Sequence, residues 1–228
     1  MAKKKKISRK KLLKEPDEFL TFSAKLFQYS LEHKYQLLAS LGAIIAVVLI
    51  VTGIRFFSLQ GSKESFALLE KSRARYEKLL GEKDAQTAYE EVKSDFEHIL
   101  DKYGNKVGGK LARVMFADIC YGADNLDQAI FLYEEALADF QDPFIRNSIF
   151  SGLAYAHEKK QAYKKATEYF EKIAASTDPV LKGEALFNIG RLYAALGDHE
   201  KSQTAYKQLV AEQPDSIYID LVKELVGK

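Results

Sequence analysis

The sequence predicts an all-α protein with a basic N-terminal segment, a single transmembrane helix and a C-terminal solenoid of helical repeats. Residues 35–54 carry no formal charge, and twenty residues of helix reach about 30 Å, the thickness of a bilayer's hydrocarbon core. From Ser62 onward, apolar residues recur at helical spacing and no segment shows the alternation of a strand. Three prolines in this part lie about 36 residues apart, at Pro143, Pro179 and Pro214, which indicates an internal repeat.

The transmembrane helix is predicted over residues 35–57. Ser40 is a polar side chain within the uncharged run that can hydrogen-bond back to its own helix. A core helix of a soluble protein would usually keep a polar face, and this segment has none. Small residues four apart would allow two copies of the helix to pack closely, which leaves a homo-oligomer open. These pairs are Ala39 with Ala43 and Gly42 with Ala46.

Charge divides the chain into three blocks. The formal net charge is +2, but residues 1–34 carry +6, residues 35–62 carry +1 and the remainder carries −5. Eight lysines and arginines within the first fifteen residues predict that this tail stays in the cytoplasm and that the domain after the span is exported. A nuclear localisation signal or an RNA-binding arm would look similar. The adjoining span, however, indicates that these charges serve to orient the protein in the membrane. We therefore expect no nucleic-acid partner.

An amphipathic helix is predicted between the basic tail and the span, and it completes the cytoplasmic segment 1–34. Phe19, Phe22, Leu26 and Tyr29 recur at steps of three and four residues, which places their side chains on one face of a helix. This face could contact the inner membrane surface or the membrane-proximal surface of a partner protein. The sequence leaves both alternatives open.

The C-terminal part repeats itself with a period of 36 or 37 residues. Three sets of positions share this spacing, and such agreement is hard to obtain by chance. The sets are Phe96, Tyr133, Phe170 and Tyr206; Ile99, Ala136, Ile173 and Leu209; and Val92, Ala129, Ala166 and Ser202.

The last repeat, residues 183–214, resembles a tetratricopeptide repeat. Its first helix contains Ile189, Gly190 and Tyr193 in the family's L-G-x-x-Y pattern, followed by a turn at Gly197 and Asp198. The resemblance implies a tetratricopeptide-like solenoid in domain 58–228, with three recognisable repeats, a degenerate helix pair and a closing helix. The three repeats are residues 110–141, 147–178 and 183–214. The degenerate helix pair is 63–102, and the closing helix is 216–227.

The earlier repeats depart from the family pattern. Ala117 and Ala154 replace the glycine, and Cys120 and His157 stand where tyrosine is usual. The degenerate pair is predicted to be two helices near residues 66–80 and 85–102, joined to the rest through Gly108 and Gly109 as a flexible joint. The closing helix is expected to bury a stripe formed by Ile217, Tyr218, Leu221, Val222 and Leu225.

No catalytic chemistry is indicated. The four histidines lie far apart, and the sequence contains no H-E-x-x-H, C-x-x-C or P-loop pattern. Cys120 occupies an apolar helix position, where packing is favoured over nucleophilic reactivity. We expect no enzyme activity, no cofactor and no metal.

The resemblance implies that the domain binds other proteins on a concave face lined by the first helix of each pair. Transferring the family's concave positions gives a mixed groove of apolar, aromatic and charged residues. The protein-binding candidates are Val114, Asp118, Tyr121, Ser151, Tyr155, Glu158, Phe187 and Arg191. Tyr155 and Phe187 could instead pack between helices. Val114 and Asp118 stand where carboxylate-clamp repeats carry lysine and asparagine, so that activity is not expected.

The combination of basic tail, uncleaved span and exported repeats is similar to the bacterial inner-membrane proteins ancillary to the SecYEG translocon. That resemblance implies translocon subunits and periplasmic chaperones as partners of a periplasmic scaffold. The alternative is a structural assembly factor for an envelope, division, secretion or motility complex. In that alternative, the span and the aromatic helix recruit the other components.

The topology can be tested with a reporter that is active only outside the cytoplasm. Fused after Lys228, the reporter should be active, whereas fused after Lys34 it should be silent, because the basic tail retains that end in the cytoplasm. Mass spectrometry should show that the mature protein keeps residues 1–34, since no signal-peptidase site follows Arg55. A mature N-terminus near Ser58 would contradict the uncleaved anchor.

Overall fold

The computed structural model describes residues 18–176 and 179–226, and every regular element in these ranges is an α-helix. The all-α prediction is therefore confirmed for this part of the chain. The chain divides into two compact units, Met1–Phe57 and Ser58–Lys228. The ten described helices are α1 Glu18–Glu32, α2 Lys34–Leu80, α3 Ala85–Tyr103, α4 Val107–Gly122, α5 Leu126–Asp139, α6 Pro143–Lys159, α7 Tyr163–Ala174, α8 Pro179–Ala195, α9 His199–Glu212 and α10 Ile219–Val226.

The N-terminal unit contains α1 and the beginning of α2, and its large apolar side chains from Phe22 onward are exposed. In α1, Phe22 and Phe27 are 64% and 68% exposed. In α2, an apolar window with a mean hydropathy of 2.7 makes it the one described helix that is long and apolar enough to cross a membrane. Ser40 donates to the carbonyl oxygen of Leu37 at 2.9 Å, as predicted. The basic tail before residue 18 and the side chain of Phe19 lie outside the described residues.

Helix α2 is longer than the sequence indicated. The expected span over 35–57 and the expected first helix of the degenerate pair form one uninterrupted helix that ends at Leu80. No proline interrupts the segment, and Gly53 and Gly61 both remain helical. Because a lone glycine weakens a helix by only about 1 kcal/mol, neither residue is enough to end it.

In the C-terminal unit, each helix from α3 to α9 packs against the next, and each helix pair is antiparallel. Lys110 contacts Asp139 while Tyr133 contacts Asp118, so α4 and α5 run in opposite directions. The same consecutive contacts continue through α9, and α10 packs against α9. The repeating positions form the core: all twelve residues of the three sets named above are buried.

The turn inside each pair has the same backbone conformation in all three repeats. Asp124, Gln161 and Gly197, again separated by 37 and 36 residues, have φ values of 63°, 60° and 79°. The amide of the following residue donates to a carbonyl five positions back, for example from Asp198 to Tyr193 at 2.9 Å. This is the Schellman arrangement that ends a helix, and only the third repeat supplies the glycine it favours.

Gly108 and Gly109 are not a flexible joint. Both are buried in the first turn of α4, where this helix approaches two other backbone segments closely. A Cβ atom on Gly108 would lie 2.7 Å from the amide nitrogen of Phe66 in α2, and one on Gly109 would collide with the backbone of Tyr103. The glycines are needed because no side chain fits there.

The closing element also differs from the prediction. Helix α10 begins at Ile219, after the turn that follows Pro214, and buries Ile219 and Val222. Ile217 precedes the helix and is 89% exposed, whereas Leu221 and Leu225 remain exposed on its outer side. Tyr218 points back onto α8, so the closing contact combines one aromatic ring with two aliphatic side chains. The predicted end at residue 227 lies outside the described residues.

The left-handed backbone conformation at Gln161 and Gly197 can be tested by exchanging glutamine and glycine between these two positions. Gln161→Gly should stabilise the fold by roughly 0.5–1 kcal/mol, because glycine adopts positive φ without steric cost. Gly197→Gln should destabilise it by a similar amount. Circular-dichroism melts of the full chain in mild detergent measure both, with Gln161→Asn as an intermediate control. Equal melting temperatures for all four proteins would contradict the conformational argument.

Candidate protein-binding face

The first helices α4, α6 and α8 carry the predicted concave residues, and we call their shared surface the first-helix face. In α4, Asp118 accepts a hydrogen bond from the hydroxyl of Tyr133, a buried residue of α5. Although the Asp118 side chain is partly exposed, desolvation by the surrounding helices raises the pKa of its carboxyl group, and the bond from Tyr133 partly opposes this shift. Val114 and Tyr121 are half-buried and pack against the core.

A polar network joins α6 to α8 on this face. The guanidinium of Arg191 donates two hydrogen bonds to the carboxylate of Glu158, at 2.6 and 2.8 Å, and a third to Asn188 Oδ1 at 2.8 Å. The Asn188 amide donates to the hydroxyl of Tyr155 at 3.2 Å, and that hydroxyl donates to Glu184. The network therefore connects the first helices of two successive repeats through side chains that are far apart in the sequence.

Hydrogen bonds and burial explain the direction in which the pKa values of Arg191 and Tyr155 shift. The hydrogen bonds to Glu158 raise the pKa of Arg191, so the guanidinium stays charged. Burial, followed by the hydrogen bond to Glu184, raises the pKa of Tyr155, so its hydroxyl stays protonated and remains a donor. The network thus contains the charged guanidinium of Arg191 and the protonated hydroxyl of Tyr155.

Tyr155 and Phe187 use part of their surface for packing. Tyr155 meets the ring of Phe170 edge-on with centroids 5.3 Å apart. Phe187 stacks on Tyr218 with centroids 4.3 Å apart and planes within 7°. The closing segment therefore covers Phe187, which is half-buried and offers less contact area than an open groove would provide.

The remaining candidates lie around this network. Tyr121 lies beneath the ammonium of Lys159, 5.2 Å from its ring centroid, and Lys159 also pairs with Asp124 at 2.8 Å. Ser151 is half-buried on α6. Sequence reasoning missed Asn188 and Tyr133, which both contribute polar atoms to this face. Tyr133 belongs to a second helix, and no pattern in the sequence shows that its hydroxyl reaches the first.

Cys120 contributes no reactive group to this face. Cys120 is fully buried, and burial raises the pKa of its thiol to about 12, so it is protonated at neutral pH. Within residues 18–176 and 179–226, no group of three or more His, Cys, Asp or Glu is placed to hold a metal ion. The first-helix face thus presents an internally paired polar network beside half-buried aromatic side chains.

Antiparallel helix pairs stacked at a fixed period, with a shared first-helix face, define a helical-repeat array of the tetratricopeptide class. The chain belongs to the tetratricopeptide repeat-like domain family, whose profile matches residues 34–225. That match includes the apolar part of α2 as well as the repeats. Domains of this kind generally mediate interactions between proteins.

Among the solved structures that match is the crystal structure of BtubC (BKLC) from P. vanneervenii. The two chains are 15% identical, the match covers 78% of this chain and 80% of that one, and the TM-score is 0.57. At this identity the likeness shows a shared fold. No curated protein matches the sequence.

The network predicts that Arg191 stabilises the junction of α6 and α8. Arg191→Glu should lower the free energy of unfolding by about 1 kcal/mol, because it places a carboxylate against Glu158 on a partly exposed surface. For a chain of this size the melting temperature should fall by about 2–4 °C. The charge-reversed pair Arg191→Glu with Glu158→Arg should recover most of the loss. A double variant no more stable than the single one would show that the pair contributes nothing.

Proposed function

We propose that the protein is a scaffold anchored in the bacterial inner membrane by α2, with its tetratricopeptide domain exposed to the periplasm. In this proposal the scaffold is ancillary to the Sec translocon and brings periplasmic chaperones to it. The observation that carries the proposal is the order of parts along one chain. Eight cations precede an exposed, charge-free helical segment, and a protein-binding array of the established family follows.

The structure of the array suits a scaffold. The salt bridge between Arg191 and Glu158 and the bond from Tyr155 to Glu184 hold α6 and α8 in a defined arrangement. A partner would therefore meet a preorganised surface, which lowers the entropic cost of binding. Tyr121 and Arg191 belong to the residue types that contribute most to protein interfaces.

A second candidate function is a structural assembly factor for an envelope, division, secretion or motility complex. The exposed side chains of α1 favour this alternative, since Phe22, Leu26 and Tyr29 are each more than half exposed. On the first-helix face, by contrast, Phe187 is already covered and Arg191 is already paired. In this alternative, recruitment depends on α1 and the span, and the repeats serve as a spacer or secondary contact.

Affinity purification from cells in mild detergent, after brief chemical cross-linking, separates the two functions. The scaffold should capture translocon subunits and periplasmic chaperones, whereas an assembly factor should bring down a fixed stoichiometric complex. Two variants locate the contact. Ser148 is an exposed residue of α6, so Ser148→Arg alters the first-helix face without removing a core contact. Phe22→Ser with Leu26→Ser and Tyr29→Ser alters α1.

The scaffold proposal requires that the first-helix variant lose the captured proteins while the α1 variant keeps them, with melting temperatures of both close to the parent's. The opposite pattern supports the assembly factor. If both variants capture translocon subunits undiminished, the first-helix face is not the binding surface and the proposed mechanism fails.

A further inference from the structure

A cleft of about 680 Å³ opens between the second helices of the last two repeats, α7 and α9, above α8. All three helices contribute small or aliphatic residues to its walls. Ala174 comes from α7, Leu186 and Ile189 from α8, and Ala205 from α9. The cleft is separate from the polar network of the first-helix face.

The preceding repeat shows what fills the equivalent space. There Tyr169, the counterpart of Ala205, stacks on His157 with centroids 5.6 Å apart and packs on Phe150 at 6.1 Å. The residues that correspond to Phe150 and His157 in the last repeat are Leu186 and Tyr193, and both line the cleft. The cleft thus lies where an aromatic ring packs one repeat earlier.

A second substitution widens the same space. Ala174 corresponds to Leu137 of the preceding repeat, so the opposite wall also carries a smaller side chain. In the first repeat the position equivalent to Ala205 is Leu132, which is 2% exposed. The last repeat is therefore the only one of the three described repeats with alanine at the ring position.

The rim of the cleft is acidic. Glu171, Asp198 and Glu200 contribute carboxylates, against the single ammonium of Lys201. Lys201 already pairs with Asp198 at 3.0 Å and lies over the ring of Tyr193. Excess negative charge around an apolar hollow is complementary to a basic ligand.

The cleft continues into a second hollow of about 410 Å³ that shares Glu171, Tyr193, Asp198 and Lys201 with it. Leu196, 45% exposed, adds an apolar surface at this end. The combined groove extends past Tyr193 from the ring position to Leu196, which is the form of site that an extended peptide segment would require.

We propose that this groove is a second protein-binding site, which accepts a phenylalanine or tyrosine side chain from a partner polypeptide flanked by lysine or arginine. The aromatic ring takes the place that Tyr169 fills in the preceding repeat, and the flanking cations meet Glu171 and Glu200. The inference concerns a surface distinct from the first-helix face and does not depend on which complex the scaffold serves.

The test uses the full chain in phosphatidylcholine nanodiscs, with alanine and isoleucine methyl groups labelled for NMR. The probe is the amidated peptide acetyl-Lys-Gly-Phe-Gly-Lys. Titration should shift the methyl signals of Ala174, Ala205 and Ile189 in a saturable manner. Replacing phenylalanine by alanine in the peptide should abolish the shifts, and replacing both lysines by glutamine should weaken binding about threefold or more.

Variants of the protein distinguish this groove from non-specific contact. Ala205→Tyr restores the ring of the preceding repeat and should weaken binding about tenfold or more by filling the site, while Ala205→Ser keeps the space and should bind as the parent does. Glu171→Gln with Glu200→Gln should remove the preference for the lysine peptide over its glutamine analogue. The amide oxygen introduced by Glu171→Gln can still accept the hydrogen bond from the hydroxyl of Tyr193.

Three results would overturn the proposal. They are the absence of saturable shifts in the parent protein, shifts confined to α4 and α6, and unchanged binding by folded Ala205→Tyr. Should Ala205→Tyr fail to fold, the double glutamine variant decides, because its rim residues are exposed and unchanged lysine preference would contradict the site.

Discussion

The fold depends on one recurring contact, the burial of an aromatic ring from each second helix against the first helices around it. Phe96, Tyr133, Phe170 and Tyr206 hold these positions, and each is at most 5% exposed. Phe96 stacks on Phe116 with centroids 5.3 Å apart, while Tyr206 packs against Gly190, where a Cβ atom would collide with the ring. Removing such a ring typically costs about 3–5 kcal/mol. Because each repeat contacts only its neighbours, a loss at one ring is felt first by the adjacent pair.

The same contacts also fix side chains of the first-helix face. Tyr133 fills the core with its ring and reaches Asp118 with its hydroxyl, and Tyr155 packs on Phe170 while it bonds to Glu184. Each of these tyrosines links the core to the surface. Packing holds its ring in place, and the position of the ring determines where its hydroxyl lies. The first-helix face is consequently rigid where α6 meets α8, and its hydrogen bonds are largely satisfied within the protein.

The last repeat contains residues that the two earlier repeats lack at the equivalent positions. Gly197 gives the last turn the residue its conformation favours, and Ala205 removes a ring that the preceding repeat retains. At the end of the array, Tyr218 covers Phe187, and Ile219 and Val222 of α10 close the last apolar face. These features distinguish the last repeat from the two before it, and the two surfaces proposed to bind partners both include α8.

The sequence by itself determined the all-helical class, the period of the repeats and the twelve recurring positions of Val92, Phe96, Ile99 and their counterparts, all of which the structure buries. These follow from local spacing, because a helix presents the same face every three or four residues and a repeat presents it again after 36 or 37. Tertiary structure alone decided that Gly108 closely approaches the backbone of α2 and that Phe187 lies under Tyr218. It also decided the pairing of Arg191 with Glu158, which are 33 residues apart. Such contacts depend on how separate helices approach one another, and the spacing of residues along a single helix carries no record of that approach.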